Sequence, residues 1–590
     1  MKIIDPHSFA DLEQGQITHI DFVMDVDFSS RSLRGEAQYR LDRPAHDSFF
    51  LDTRSLGLER VHAGEHDLKW ELDRSDPILG QRLHLKGLDG VSSFSIEFTS
   101  GAQASALQWL APEQTAGGRH PFLFSQCQSI HARSIFPCQD TPSVRFTYTA
   151  RLQVPEPLVA VMAAAPAEAG SGAATTWYSF SMPQAIPAYL FGLAVGNIAW
   201  QDVGPRCRVY AEPEVLEAAA WEFADTEQRL KEAEKLFGPY VWDRYDLLVM
   251  PPAFPFGGME NPRLTFLTPT LLVGDRSRTN LVSHELAHSW TGNLVTNATW
   301  EDFWLNEGWT TYAQMRIDEA LEGRDRAQLS AAIERERMLE NMRLFGMDSD
   351  PTRLKYSMQG VDPDAVFSNI PYQKGYAFLV LLEQSVGRQA FDQFIKKYIT
   401  TYRFQSLTTE GFVAFLEREL PRTGDQVDIQ EWLYGTGFPD SAPAIRSTLL
   451  DDAVGRIQAY QTGKRPTGQE VANWRPGQIH LFLRMLPEQI PVDDCRYFES
   501  LFGFKESRDF DLLSAFYTIA IRSGYQDVFS NVEELVGRVG RGLYLKPLYR
   551  SMVQTEWARP LARPLFERCR SGYHSITAVA IEQILAGAGV

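Results

Sequence analysis

Two hydrophobic periods follow one another along the chain. Through the first third, apolar residues recur at every second position. Ile20, Phe22, Met24, Val26 and Phe28 form one such row, Phe94, Ile96 and Phe98 a second, and Val144, Phe146, Tyr148, Ala150, Leu152 and Val154 a third. Side chains alternate across a strand, so these rows predict strands with one buried face. The small-residue stretch 163–176 reads as a loop between strands. Residues 1–199 are therefore expected to form an antiparallel β domain.

Beyond that point the period lengthens. Residues 214–238 have helical spacing and end on a glycine stop. The short apolar strand "YDLLVMPP", a glycine-rich turn and further helices follow, to about Trp432. The Gly-, Pro- and Ser-rich segment 434–446 reads as a linker between a middle region, 200–433, and a last region, 447–590. That last region is helical. "DFDLLSAFYTIAIRSG" closes at Gly524, and successive short helix pairs predict a stacked α-solenoid, with a plain bundle as the alternative. The whole pattern is multidomain α+β.

Bulk composition narrows the function classes. A chain of 590 residues exceeds what one core organises, which implies about three domains. The net charge of −18 argues against nucleic-acid and anionic-membrane partners and favours cationic ligands, although acidity also serves solubility alone. Five scattered cysteines with no CxxC pair indicate neither a disulfide framework nor a thiolate zinc site. No signal peptide and no membrane-spanning run is read, so the expected location is the cytoplasm.

The chemistry lies in "HELAHSW", residues 284–290. Positions four apart share one helix face, so His284 and His288 can offer two imidazole nitrogens to one ion. Glu285 stands about a quarter-turn round, within reach of a water on that ion. A catalytic zinc takes three protein ligands and keeps one position open. Glu307, in "EDFWLNEGWTTY", follows His288 after a spacer of 18 residues, and residues 302–317 have helical character. The alternative is a helix face whose histidines only pack. With one Zn2+ per chain, this set performs metal-assisted hydrolysis, with Glu285 as general base. Upstream, in "FPFGGMENP", Gly257 and Gly258 allow close backbone approach to an added strand, and Glu260 ends that segment. A buried Glu260 would hold an α-ammonium group and make the enzyme an exopeptidase. A glycine-rich turn with a solvated glutamate is the competing reading.

"GGMENP", "HELAH", the spacer and "WLNEG" together resemble the zinc aminopeptidases of the M1 (gluzincin) family, most closely the leukotriene A4 hydrolase and aminopeptidase B branch. "LQWLAPEQT", "FLFSQCQSIHARSIFPCQDTPSV" and "PYQKGYAFLVLLEQ" extend the likeness along the chain. The resemblance implies a saddle-like N-terminal β domain, a thermolysin-like catalytic domain and a C-terminal α-solenoid, with the cleft between them. It implies that Gly257, Gly258 and Met259 line the substrate strand, that Glu260 anchors the substrate N-terminus, and that Gln128 makes a second contact there. Tyr372 matches the oxyanion donor. Arg541 resembles the arginine that receives a substrate carboxylate, which favours short peptides. The enzyme is expected to be a monomer.

Three positions depart from the branch. Phe367 replaces a second active-site tyrosine, Phe256 a tyrosine before "GGMEN", and Leu543 a carboxylate-binding lysine. Asp364 matches an aspartate associated with epoxide hydrolysis. An aminopeptidase that also opens fatty-acid epoxides of the leukotriene A4 kind is thus a second hypothesis. A non-enzymatic peptide-binding scaffold is a third, against which stands the joint presence of every catalytic residue.

Overall fold

The computed structural model describes residues 4–46 and 48–590. Strand β1 (Ile17–Asp27) pairs antiparallel with β2 (Ser32–Leu41) and parallel with the strand Phe146–Pro155, inside an eight-stranded sheet. The period-two row behaves as its spacing predicts. Ile20, Phe22, Met24 and Val26 are buried, and Phe22 meets Phe136 edge-on at 4.8 Å. Phe28 lies one residue past β1 and packs on Trp109 at 5.3 Å instead.

Two expectations need correction. The stretch 163–176 is mostly not a loop: Ala165–Ser171 forms the sheet's edge strand against Thr175–Ile186, with the turn between them. Its side chains are largely exposed, so no alternation marks it, and backbone pairing alone makes the strand. Residues 214–238 form two helices, α1 (Pro213–Glu222) and α2 (Thr226–Phe237). The break at Phe223 buries that ring and lets the Glu222 carboxylate accept from the backbone N–H groups of Gly274 and Arg276. The expected glycine stop holds, with Gly238 at φ +100°.

The middle region is built on a five-stranded sheet in the order Ala199–Asp202, Arg208–Ala211, Asp246–Val249, Leu264–Leu267, Gly258–Met259. Its last member is a two-residue edge strand. The helix α3 (Asn280–Ala287) packs against the sheet, α4 (Trp304–Glu322) packs on α3, and α5 (Arg324–Phe345) and α6 (Ile370–Val386) pack on α4. A 3-10 turn at Trp300–Asp302 precedes α4, so the second motif helix starts later and runs further than its sequence suggests.

One apolar core runs continuously through the β domain and the middle region, and a separate core serves the C-terminal helices. There Thr448–Gln461, Pro476–Met485, Phe510–Arg522, Gly542–Gln554 and Ser575–Gly587 stack in one row, each on the next, as a solenoid does. Residues 435–447 join the two parts without helix or strand. No helix among the described residues is long and apolar enough to cross a membrane.

Candidate active site

The helix α3 ends at Ala287, and His288 follows it in helical geometry (φ −53°, ψ −25°). His284 and His288 therefore stay one turn apart. Their Nε2 atoms lie 3.3 Å from each other. Glu307, in the first turn of α4, brings Oε2 to 3.3 Å from Nε2 of His284 and 3.6 Å from Nε2 of His288. Ligand atoms about 2.0–2.1 Å from a tetrahedral zinc stand about 3.3 Å apart, so this triangle has the size of a zinc face. Among the described residues, Oε2 of Glu307 is buried with no hydrogen-bond donor in line. The residues present fit the metal.

Each imidazole is also held from behind. The Nδ1 of His284 stands 3.0 Å from Oε1 of Gln314, and the Nδ1 of His288 stands 3.2 Å from Oγ of Thr310, whose own proton goes to the carbonyl of Thr291. Both partners accept, so both Nδ1 atoms carry the proton and both Nε2 lone pairs face the metal position. Thr310 and Gln314 went unnoticed in the sequence. They lie three and seven residues after Glu307, on the same helix face, and that spacing is the signal that finds them.

The site is crowded with negative charge. A second set of ligand-capable atoms, from Glu260, Glu285 and His288, lies within 4.8 Å of one another. Burial lifts the Glu260 carboxyl well above the usual range, and the charges of Glu307 and Glu285 lift it further. Burial likewise raises Glu285 to about 8, against the pull of His284. Burial alone would lower His284, yet the Glu307 carboxylate beside it brings it up to about 9. Burial drives His288 down to about 3. Glu307 itself stays below the usual range despite burial, because His288 and His284 favour its charge. Such a cluster has the potential to hold a cation.

The edge strand positions the rest. Gly258 and Met259 pair antiparallel with Leu267 and Phe266, which leaves the strand's other side free of a neighbouring strand. A Cβ built on Gly258 would stand 2.3 Å from Oε1 of Glu285, so only glycine leaves room for that carboxylate. A Cβ on Gly257 would stand 3.1 Å from Nη2 of Arg541. Gly540 donates to the carbonyl of Pro252 at 2.9 Å and docks the C-terminal helices there. Met259 Sδ accepts from the Gln126 amide at 3.2 Å. Asn293 donates to the carbonyl of Glu260 at 2.7 Å, while Oε1 of Glu260 is buried without a partner.

Tyr372, in the first turn of α6, stacks its ring on His284 at 5.9 Å and is flanked edge-on by Phe303 and Phe367. Burial first, then the charges of Glu307 and Glu260, keep its phenol well above the usual range, so it is a protonated donor. Phe367 is 60 % exposed, packs on Phe303 and Tyr372 and carries no hydroxyl. Gln128 follows the strand Phe122–Ser125, and its amide nitrogen is buried and unpartnered. Asp364 receives Ser129 Oγ at 2.9 Å and stands 2.6 Å from Nε2 of His131. Although partial desolvation pulls the other way, His131 and Ser129 hold the carboxyl of this exposed side chain below the usual range. Sequence reasoning missed Ser129 and His131, which carry no motif. His284, Tyr372, Arg541 and Leu543 line one cavity of about 640 Å³ between the middle region and the C-terminal helices.

Fold and site define a gluzincin-type zinc metallopeptidase. The chain belongs to the M1 peptidase family: residues 17–190 match the M1 N-terminal domain, 221–432 the M1 peptidase domain and 474–585 the C-terminal domain of leukotriene A4 hydrolase. It is 37 % identical to the leukotriene A-4 hydrolase of Xenopus laevis, over 98 % of this chain and 99 % of that one. It is 35 % identical to leucine aminopeptidase 2 of Neosartorya fischeri, over 99 % and 98 %. The native yeast leukotriene A4 hydrolase superposes with a TM-score of 0.92 at 31 % identity, covering 99 % of this chain and 97 % of its own. The chain is a zinc aminopeptidase with one catalytic zinc ion.

Proposed function

We propose that this aminopeptidase takes short peptides, and that its residues divide the work as follows. Glu260, with Gln128 beside it, holds the substrate α-ammonium group. The free edge at Gly258–Met259 pairs with the substrate backbone. His284, His288 and Glu307 hold the zinc, which when bound polarises the scissile carbonyl and acidifies a water. Glu285 takes the proton of the attacking water and delivers it to the leaving amine. Tyr372 donates to the oxygen that becomes negative. Arg541 receives the carboxylate of a short peptide.

The observation that carries this reading is the buried, unpartnered Oε1 of Glu260 at the end of an open edge strand, beside the metal ligands. An unpaired buried acceptor is costly, and an ammonium group removes the cost. Glu260→Gln should raise KM for aminoacyl-anilides at least tenfold, and N-acetylation of a peptide should abolish its cleavage. Equal rates on free and acetylated peptides would sink the assignment.

Asp364 supports a second reading, epoxide hydrolysis of the kind named for the Xenopus and yeast relatives. In this chain each Asp364 oxygen already faces a partner, and Phe367 supplies no hydroxyl. Incubation with leukotriene A4 decides it: without a dihydroxy product, the second activity is absent. We also read the enzyme as a cytoplasmic monomer with no nucleic-acid or membrane partner; sedimentation and fractionation test this.

A further inference from the structure

The two helices that carry the third ligand and the tyrosine touch backbone to backbone. A Cβ built on Gly308 would stand 2.9 Å from the Cα of Gly375 and 3.1 Å from the carbonyl oxygen of Pro371. A Cβ built on Gly375 would stand 2.8 Å from the Cα of Gly308. These neighbours are main chain and cannot rotate away. Neither glycine has the positive φ that would require glycine by itself. Their lack of side chains therefore serves the approach of α4 to α6 and nothing local.

The crossing point is placed next to the chemistry. Gly308 directly follows Glu307, and Gly375 lies one turn after Tyr372 on α6. A methyl group at either position forces the helices apart by about half an ångström before it reaches ordinary contact. Tyr372 sits in the first turn of α6, so it moves with that helix. An oxyanion donor works only at about 2.7–3.1 Å from its target, and a displacement of about 1 Å costs roughly a hundredfold.

We propose that Gly308 and Gly375 are positioning residues for catalysis: their contact sets the height of the Tyr372 hydroxyl above the metal site. This rests on the oxyanion role proposed for Tyr372. Both glycines act through that tyrosine and touch no substrate. The zinc ligands lie on α3 and α4, so a shift of α6 alone leaves the metal in place.

A double-mutant cycle tests the inference. Gly375→Ala, Tyr372→Phe and the double variant are assayed on an aminoacyl-anilide, with zinc content and melting temperature measured for each. Gly375→Ala is expected to keep its zinc and its KM within about twofold and to lose about tenfold in kcat. In the Tyr372→Phe background the same substitution should cost less than twofold. Gly308→Ala should show the same background-dependent loss in kcat but, because Gly308 adjoins Glu307, should weaken zinc binding as well. An unchanged kcat in Gly375→Ala, or an equal loss in both backgrounds, overturns the inference. Failure of both glycine variants to fold at any temperature also overturns it, since general packing then accounts for the contact. An unchanged kcat in Tyr372→Phe alone instead overturns the oxyanion role.

Discussion

Glu285 and Gly258 show how one residue's chemistry rests on another's absence of side chain. The carboxylate lies where a Cβ of residue 258 would be, 2.3 Å from it. Gly258→Ala should displace Glu285, bend the substrate edge and lower kcat/KM by about a hundredfold or more. Zinc content should stay at one per chain, because no ligand moves. Steady-state kinetics with metal analysis checks both; near-normal activity would contradict the packing. Much of this site is legible in the sequence. His284, Glu285 and His288 sit within one helical turn, so their spacing alone fixes their relation. The crowding of Glu285 against Gly258 is not legible, because a separate strand brings it about.

At the scale of elements, α4 acts as a ruled edge. Glu307, Thr310 and Gln314 recur along one face, the first as proposed ligand and the others as acceptors for the imidazoles of His288 and His284. Gln314→Leu should weaken zinc binding by about 10–100-fold, measured by competition with a chromogenic chelator, while the fold persists. The last helix, Ser575–Gly587, depends on a titratable cap. His574 is buried and its side chain accepts from the N–H of Ile576, and burial lowers its pKa from 6.5 to about 4. The folded state thus holds this ring neutral. Stability from it is complete above about pH 6.5 and is lost as the pH falls through 4, about 3 kcal/mol in all. His574→Asn keeps an acceptor at the cap and should flatten the fall in melting temperature between pH 6.5 and 4. An identical pH dependence in wild type and variant would refute this. Helical spacing announced α3 and, with its ends displaced, α4. The edge strand Ala165–Ser171 was invisible because neither of its faces is consistently buried.

The whole molecule places its cleft by joining remote segments. Arg278, just before α3, meets Asp509 at the head of the helix Phe510–Arg522 through two hydrogen bonds of 2.8 Å. Both side chains are largely buried. Asp509→Ala removes both hydrogen bonds and the cap of this helix, leaves Arg278 only its 3.5 Å contact with Asp511, and should cost about 3 kcal/mol. It should also raise KM for tripeptides with a free carboxylate while sparing aminoacyl-anilides, because the C-terminal helices form that wall of the cavity. Calorimetry and paired kinetics report the two effects, and an unchanged melting temperature would be fatal to the first. Contacts such as Ser129 and His131 with Asp364, or Gly257 with Arg541, span hundreds of residues. No local period encodes them, which is why the resemblance supplied roles for Asp364 and Arg541 without saying what would hold them.

The shortness of the Gly258–Met259 strand has one more consequence. Two residues of extended backbone cover about 7 Å, the span of a single peptide unit and its neighbours. Hydrogen bonding along such an edge is blind to side-chain identity. With Glu260 as the proposed stop at its end, the strand would work as a gauge: it would measure how far the first peptide bond lies from a free terminus. On that reading, where the chain is cut is a matter of length, and the choice of residue released falls to the side chains that line the cavity.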